Sequence, residues 1–179
     1  NLSFSLGLRH TLFNFLGPYT VAEYNDNEDQ INSLSYDKNE SIVTYKNFEP
    51  RIGSRIQLNK NSSLKFSYAK INQYIQNIYN TVTPLPTSRW KTSDTYIKPQ
   101  VSDTFGAGIF KNFDSMGIEL SFEGYYRDIQ NTLTYKLGAD FFLSEYVEKE
   151  VIQGLGKAYG IEFSLKKPVG KFNGFLNYT

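Results

Sequence analysis

The chain has 179 residues, no cysteine and a formal net charge of +1, from 19 basic and 18 acidic residues. This balance gives no basic surface of the kind that binds nucleic acid, and the absence of cysteine excludes disulfides, thiolate catalysis and cysteine zinc sites. Aromatic residues make up 16% of the chain while its mean hydropathy is negative, so strand formers are abundant and long apolar runs are absent. If this protein enters a bilayer, we expect it to cross with strands.

The first predicted elements follow an alternation of apolar and polar residues. The first strand shows this alternation at four apolar positions: Leu2, Phe4, Leu6 and Leu8. The stretch 17–40 is acidic and rich in Asn, and it predicts a long loop that packs no core. Alternation resumes near Ile42, and residues 50–71 predict an antiparallel hairpin with its turn at 59–62.

The rest of the chain repeats this order of elements. Residues 73–97, which hold the only Trp, predict a second long loop of roughly twenty-five residues. A hairpin follows over 100–129, and a third long connection over about 130–157. The last predicted element is a hairpin over 160–179.

Short and long connections alternate along this predicted meander. The short turns at 59–62, 112–116 and 167–171 therefore fall at one end of the sheet, and the long loops fall at the other. Such an asymmetry is typical of outer-membrane barrels, and strands of roughly ten residues match a tilted bilayer crossing. The sequence thus predicts an all-β fold: an antiparallel up-and-down meander of about seven or eight strands over residues 1–179, part of a transmembrane β-barrel.

Candidate catalytic and metal-binding groups are few. Glu119 and Glu123 share a strand face, as glycosidase carboxylates can, but strand alternation places charges on a wet face in any case. His10 is the only histidine, so neither a catalytic triad nor a multi-histidine metal site can be built. The segment from Asp26 to Gln30 indicates a solvated acidic loop, with a loose calcium site as the alternative. We predict no enzyme activity, no cofactor and no metal site.

The second long loop carries the candidate ligand-binding residues. Its aromatic faces and one cation could stack on sugars or other exposed ligands. The alternative is that these side chains pack the loop against its neighbours or belong to an aromatic girdle at the membrane boundary. The candidates are Tyr74, Tyr79, Arg89, Trp90 and Tyr96.

Four segments resemble successive pieces of the C-terminal β-barrel of TonB-dependent outer-membrane receptors of the Bacteroidetes type. They are "FEPRIGSRIQLNKNSSLKFSYAKINQYIQ", "YIKPQVSDTFGAGIFKNF", "IELSFEGYYRDIQNTL" and "GKAYGIEFSLKKPVGKFNGFLNYT". The most specific features are the strand start formed by Lys98, Pro99 and Asp103 and the run "GKAYGIEF". The similarity extends from the first predicted strand to the last.

The resemblance implies a receptor in the outer membrane of a Gram-negative bacterium that imports a scarce nutrient with energy supplied through TonB. Its barrel would have about 22 strands, of which this chain is a part, and a separate N-terminal plug domain that is absent from this sequence. The implied partners are the TonB complex (through the missing N-terminal region), the receptor's own plug domain, outer-membrane lipid and an extracellular nutrient. Siderophore, cobalamin, glycan and peptide all remain open as that nutrient.

The two faces of the predicted strands receive different roles in such a receptor. The residues expected to meet lipid are Leu6, Ile52, Ile56, Leu64, Phe66, Ile109, Leu120, Phe122, Phe163, Leu165 and Leu176. The residues expected to face the lumen are Arg55, Lys65, Glu119, Glu123, Glu162 and Lys166.

The main alternative from another class is a soluble secreted β-domain that binds carbohydrate through its aromatic loops. It predicts that a second sheet of the same chain covers the apolar face. The pattern at the ends of the sequence favours a fragment cut at both termini. We expect such a fragment, studied alone, to self-associate through its unpaired strand edges.

Overall fold

The computed structural model describes residues 1–79, 88–139 and 146–179. Within these ranges the chain forms strands and one 3₁₀ turn, Val147–Lys149. The strands are β1 (Leu2–Leu16), β2 (Tyr19–Tyr24), β3 (Gln30–Tyr36), β4 (Ser41–Asn59), β5 (Ser62–Gln73), β6 (Ile75–Tyr79), β7 (Ser88–Thr92), β8 (Gln100–Phe113), β9 (Ile118–Tyr135), β10 (Val151–Lys167) and β11 (Gly174–Tyr178). The described residues include no helix that is long and apolar enough to cross a membrane.

Seven strands form one antiparallel sheet in the order β1-β4-β5-β8-β9-β10-β11. Each strand pairs with the one before and after it along the meander, so the predicted all-β antiparallel architecture is confirmed. The remaining strands form two separate hairpins, β2–β3 and β6–β7, within the first two long connections.

The connections alternate as expected. Residues 60–61, 114–117 and 168–173 make the short turns, and the long connections cover 17–40, 74–99 and 136–150. Because neighbouring strands are antiparallel, the short turns lie at one end of the sheet and the long connections at the other.

Two details of the predicted main sheet were wrong. Five strands of the main sheet have 14 to 19 residues instead of about ten. The third connection is shorter than 130–157 because β9 and β10 stay paired up to Tyr135 and Val151. The sequence pattern does not show this pairing because β9 has a bulge. Gln130 and Thr132 pair with neighbouring residues of β10, and Asn131 between them, at φ 56°, has no partner in the register. The extra residue interrupts the period of two.

The first connection was expected to pack no core, yet β2 buries Val21 and Ala22. The base of its hairpin is tight because Gly17 donates its N–H to the carbonyl of Glu40 and accepts from the N–H of Asn39. A Cβ at Gly17 would collide with the backbone of Asp37, so the close approach requires glycine.

The buried apolar residues gather at the long-connection end of the molecule, among the connections and the adjoining ends of β9 and β10. The central cluster consists of Ile78, Ile97, Ala139, Val147 and Val151, with Leu133 and Tyr135 packed against it. We call this end of the molecule, with the β2–β3 and β6–β7 hairpins, the loop assembly. By contrast, many large apolar side chains of the sheet are exposed, as Phe4, Leu6 and Leu8 are on β1.

Candidate functional site

One face of the sheet is apolar from edge to edge. Backbone register aligns one side chain from each of the seven strands in a continuous row, so all seven point to the same side. The row is Leu2, Ile56, Leu64, Ile109, Phe122, Phe163 and Tyr178. All the residues for which the sequence predicted lipid contact lie on this side, which we call the apolar face.

A second row, one residue along each strand, lies on the opposite side of the sheet. It runs Ser3, Arg55, Lys65, Gly108, Glu123 and Glu162. Glu119 and Lys166, which pair with each other in register, point to the same side nearer the short turns. The structure therefore brings the six predicted lumen residues together on one side, which we call the polar face.

The charges of this polar row are sorted by sign. Arg55 lies directly across from Lys65, and Glu123 lies directly across from Glu162. Like charges at directly opposed positions repel each other. Among the described residues none of these four makes an ion pair, and Lys65 instead places its Nζ 4.0 Å from the centroid of the Phe110 ring.

Gly108 separates the two signs. A Cβ at this position would lie 2.9 Å from Cγ of Glu123, which is closer than two carbon atoms pack. The Glu123 side chain therefore lies against β8 at a position where glycine leaves room for it. The polar row lines a groove of about 550 Å³, with cations on one side and carboxylates on the other.

On the apolar face, the side chains change character towards the long connections. A row of four aromatic residues, Tyr68, Phe105, Tyr126 and Tyr159, crosses four neighbouring strands. The next row in that direction is charged: Lys70, Asp103, Asp128 and Lys157. The Tyr68 hydroxyl donates a hydrogen bond of 2.6 Å to Asp103, which joins the two rows.

The second long connection folds over the polar face. Tyr74 stacks on Phe13 with ring centroids 5.0 Å apart, and its hydroxyl accepts a 2.8 Å hydrogen bond from the Asn47 amide. The Tyr45 hydroxyl donates a 2.7 Å hydrogen bond to the carbonyl of Asp94. Since Phe13, Tyr45 and Asn47 all point to the polar side by register, this connection contacts the polar face of β1 and β4 at their long-connection end.

A buried carboxylate lies at this junction. Glu49 is 1% exposed and accepts hydrogen bonds from Thr11 and from both the backbone and the side-chain amide of Asn72, at 3.2 to 3.4 Å. Its Oε2 has no hydrogen-bond donor among the described residues and lies 3.8 Å from Nε of Arg9. Glu49 thus joins β1, β4 and β5 where the sheet meets the loop assembly.

The five predicted ligand-binding residues are placed differently from one another. Tyr74 is held against Phe13, and Tyr96 donates a hydrogen bond to the carbonyl of Ala22. Trp90 is 71% exposed. The backbones of Tyr79 and Arg89 belong to β6 and β7, and their side chains lie outside the described part of the structure.

Asp94 organises the end of the β6–β7 hairpin. Its Oδ1 accepts the backbone N–H groups of Tyr96 and Ile97, at 2.9 and 2.8 Å, and its Oδ2 lies 2.7 Å from Nζ of Lys91. Burial lowers the pKa of the Lys91 ammonium, but the nearby Asp94 carboxylate more than offsets this, so the pKa is raised.

A cluster around Tyr24 joins the first connection to the third. Its hydroxyl donates a 2.9 Å hydrogen bond to Glu148, and Nζ of Lys149 lies 4.6 Å from the centroid of its ring. Burial raises the pKa of Tyr24, and the bond to Glu148 raises it further. An ion pair between Nζ of Lys136 and Oε1 of Glu28, 2.6 Å apart, also joins the first connection to the third.

Sequence reasoning missed the residues that hold the loop assembly together. Asp94, Tyr24 and Glu148 lie in segments without a strand period, whereas Glu49 lies in a strand whose alternation does not reveal its partner. The partners Tyr45 of Asp94, Glu148 of Tyr24 and Asn72 of Glu49 are distant in sequence. The Asp94 turn alone had a local signal, because an Asp that caps backbone N–H groups two and three residues later is a common turn device. The described residues contain no group of three or more His, Cys, Asp or Glu side chains arranged to hold a metal ion.

Comparison with known proteins agrees with this architecture. The family model described as TonB dependent receptor-like, beta-barrel, matches residues 1–179. No curated protein and no solved structure matches the chain. The family match gives no support to a soluble carbohydrate-binding module. Because the family model spans the whole chain, and the sheet is the antiparallel meander that such a barrel requires, this chain belongs to the β-barrel family of TonB-dependent receptors, the outer-membrane nutrient transporters of Gram-negative bacteria.

Proposed function

We propose that this chain forms part of the barrel wall of an outer-membrane importer, with its apolar face in lipid and its polar face towards the lumen. The observation that carries this proposal is the pair of adjacent rows across the sheet. One is apolar on all seven strands, and the other holds Arg55, Lys65, Glu123 and Glu162. A sheet with a continuous exposed apolar band on one face is stable against hydrocarbon, whereas in water that band would be left uncovered.

The order of rows on the apolar face supports the same orientation. An apolar band followed by the row from Tyr68 to Tyr159 and then by charges matches the sequence of hydrocarbon, interface and water along a barrel wall. We therefore assign the aromatic row to the girdle on the side of the long connections, which is the extracellular side in such barrels.

The polar face then offers its charges to partners inside the barrel. Arg55 and Lys65 have no anionic partner among the described residues, and Glu123 and Glu162 have no cationic one. We propose the receptor's own plug domain as the permanent neighbour of this face. The TonB complex would act through the N-terminal region of the receptor.

The long connections would meet the nutrient first. Siderophore, cobalamin, glycan and peptide are the proposed classes, and Trp90 is the most exposed of the described side chains among the five candidates. Tyr79 and Arg89, in the last described pairs of the same hairpin, remain candidates for that contact.

Labelling of single cysteines in intact cells tests the orientation, because the chain has no cysteine of its own. The complete gene product would carry Leu137→Cys in the third connection or Lys60→Cys in the first short turn, both at exposed positions. A membrane-impermeant maleimide should label Leu137→Cys in intact cells and Lys60→Cys only after permeabilisation. Labelling of Lys60→Cys in intact cells, or recovery of the protein in a soluble fraction, would refute the proposal.

Import itself is tested by growth. A strain lacking the gene is compared with its parent when iron, cobalamin, a glycan or a peptide is limiting. A defect confined to one nutrient, reproduced when TonB is deleted, is expected of an importer. Unchanged growth on all four classes would contradict the proposed import of these nutrients.

A further inference from the structure

The exposed side of the β6–β7 hairpin has the chemistry of a carbohydrate platform. This inference rests on the proposed function and narrows its nutrient to one class. The five-residue strands place their side chains alternately on two sides of the hairpin. Gln76 and Lys91 are cross-strand neighbours on one side, and Asn77 and Trp90 are cross-strand neighbours on the other.

The first side of the hairpin is fixed to the loop assembly. Ile78 is 2% exposed in the central apolar cluster, and Gln76 is also buried. Lys91 is held by Asp94 at 2.7 Å, and the backbone N–H of Ser93 donates to the carbonyl of Tyr74. The hairpin therefore presents its other side on a rigid support, which lowers the entropy cost of binding a ligand there.

The second side is open and uncharged. Trp90 is 71% exposed, Ile75 is 48% exposed, and Asn77 is exposed directly opposite Trp90. Thr92 completes the described side chains on this side. A ligand for this surface needs an apolar face for the indole ring and hydrogen-bonding groups for the amide, without a charge that requires a counter-charge.

The position of the hairpin argues against membrane contact for Trp90. Tyr74 and Asp94, which flank the hairpin, touch Phe13, Asn47 and Tyr45 on the polar face of the sheet. The aromatic row on the apolar face is made by other residues on the main strands. The hairpin belongs to the connection that leaves β5 beyond Lys70 and re-enters the sheet before Asp103, so Trp90 lies past the charged row and is available to a solute that approaches from the long-connection end.

We propose that Trp90 and Asn77 form a capture surface for a neutral oligosaccharide. The C–H face of a pyranose ring stacks on the indole, and the Asn77 amide exchanges hydrogen bonds with ring hydroxyls. Ile75 extends the apolar contact beside Trp90. Charged siderophores fit this surface less well, since its described side chains carry no charge.

The test uses the complete receptor purified in detergent and an array of neutral hexasaccharides: α- and β-linked glucans, mannans and xylans. Titration calorimetry then measures the affinity of the best hit for each variant. Trp90→Ala should weaken binding about tenfold or more, and Asn77→Ala should weaken it by a smaller factor. Trp90→Tyr, which keeps an aromatic face, should retain part of the affinity. Leu137→Ala, an exposed apolar residue of the third connection, is the matched control and should leave affinity unchanged.

Two outcomes would overturn this inference. One is that no neutral hexasaccharide binds the folded receptor, and the other is that binding is insensitive to Trp90→Ala. Neither outcome affects the orientation test with Leu137→Cys and Lys60→Cys, so failure of the carbohydrate assignment is separable from failure of the proposed function.

Discussion

The main sheet and the loop assembly differ in how far their apolar side chains are buried. The sheet leaves Phe4, Leu6 and Phe122 exposed, whereas the loop assembly encloses Ile78 and Ile97 almost completely. The sheet therefore depends on its surroundings to cover its apolar face, while the loop assembly has a core of its own. We infer that lipid stabilises one region and internal packing stabilises the other, and the two should respond differently to mutation.

Truncation of the buried cluster should give the largest loss of stability, in the loop assembly. Ile78→Ala should destabilise it by about 2–5 kcal/mol, because the truncation opens a cavity in the buried cluster. Hydrogen exchange of the β6 and β7 amides in the complete receptor measures this change. Ile75→Ala, on the exposed side of the same strand, is the control and should have a much smaller effect. Equal effects of the two variants would show that the cluster is not a core.

The second-largest loss of stability is expected for a charge placed on the apolar face of the sheet, when the receptor is in lipid. Phe122→Lys should cost about 2–4 kcal/mol in the free energy of unfolding, because an ammonium would be placed against hydrocarbon. Glu123→Lys places the same group on the opposite face and should cost far less. Unfolding of the complete receptor from lipid vesicles in urea measures both. A larger cost for Glu123→Lys would reverse the assignment of the two faces.

A smaller effect is expected at the junction of the two regions. Glu49→Ala should destabilise the protein by about 1–3 kcal/mol, because the amide donors of Asn72 lose their buried acceptor. Glu49→Gln keeps one acceptor oxygen and removes a buried charge, so its cost should be smaller. Urea unfolding compares the two. If Glu49→Gln lowered the stability as much as Glu49→Ala, the negative charge of Glu49 near Arg9 would contribute more to stability than its hydrogen bonds.

The smallest effect is a dependence on pH that is confined to the loop assembly. The pKa of Tyr24 is raised above its ordinary value of 10.0, so the stability from its neutral hydroxyl is complete below about pH 10 and is lost as the pH rises further. The raised pKa of Lys91 acts in the same direction, above its ordinary 10.5. A spin label at Leu137→Cys should gain mobility above about pH 10, before labels on β5 respond.

Tyr24→Phe serves as the control for this titration. It removes the hydrogen bond to Glu148 at a cost of about 1 kcal/mol and should weaken the pH dependence of label mobility. A mobility that rises below pH 9, or a pH dependence unchanged by Tyr24→Phe, would assign the transition to other groups.

The sequence predicts the sheet better than the loop assembly, and for a physical reason. Alternation along a strand has a fixed period, so Leu64 and Lys65 could be assigned to opposite faces without knowledge of their neighbours. The bulge at Asn131 broke that period, and the prediction ended β9 too early at the same place. Local pattern thus fails where the backbone departs from the regular ladder.

The loop assembly is built from contacts that no local pattern reports. Tyr24 is bonded to Glu148, 124 residues away in sequence, and Tyr45 is bonded to Asp94, 49 residues away. The acidic composition of 17–40 suggested a long loop without a core because the apolar side chains it buries, Val21 and Ala22, are a small part of it. Composition could name the aromatic candidates of the second connection, but only their contacts distinguish Tyr74 and Tyr96 from Trp90.

We expect the two faces of the sheet to meet different media, lipid on the apolar face and the barrel lumen on the polar face. Spin labels placed one at a time at Leu64, Lys65, Phe66 and Ser67 of the complete receptor in lipid vesicles can distinguish these two environments. The labels at Leu64 and Phe66 should collide mainly with dissolved oxygen, and those at Lys65 and Ser67 should be protected from it, giving a period of two along β5. Equal collision rates with dissolved oxygen at all four positions would refute the assignment of the two faces.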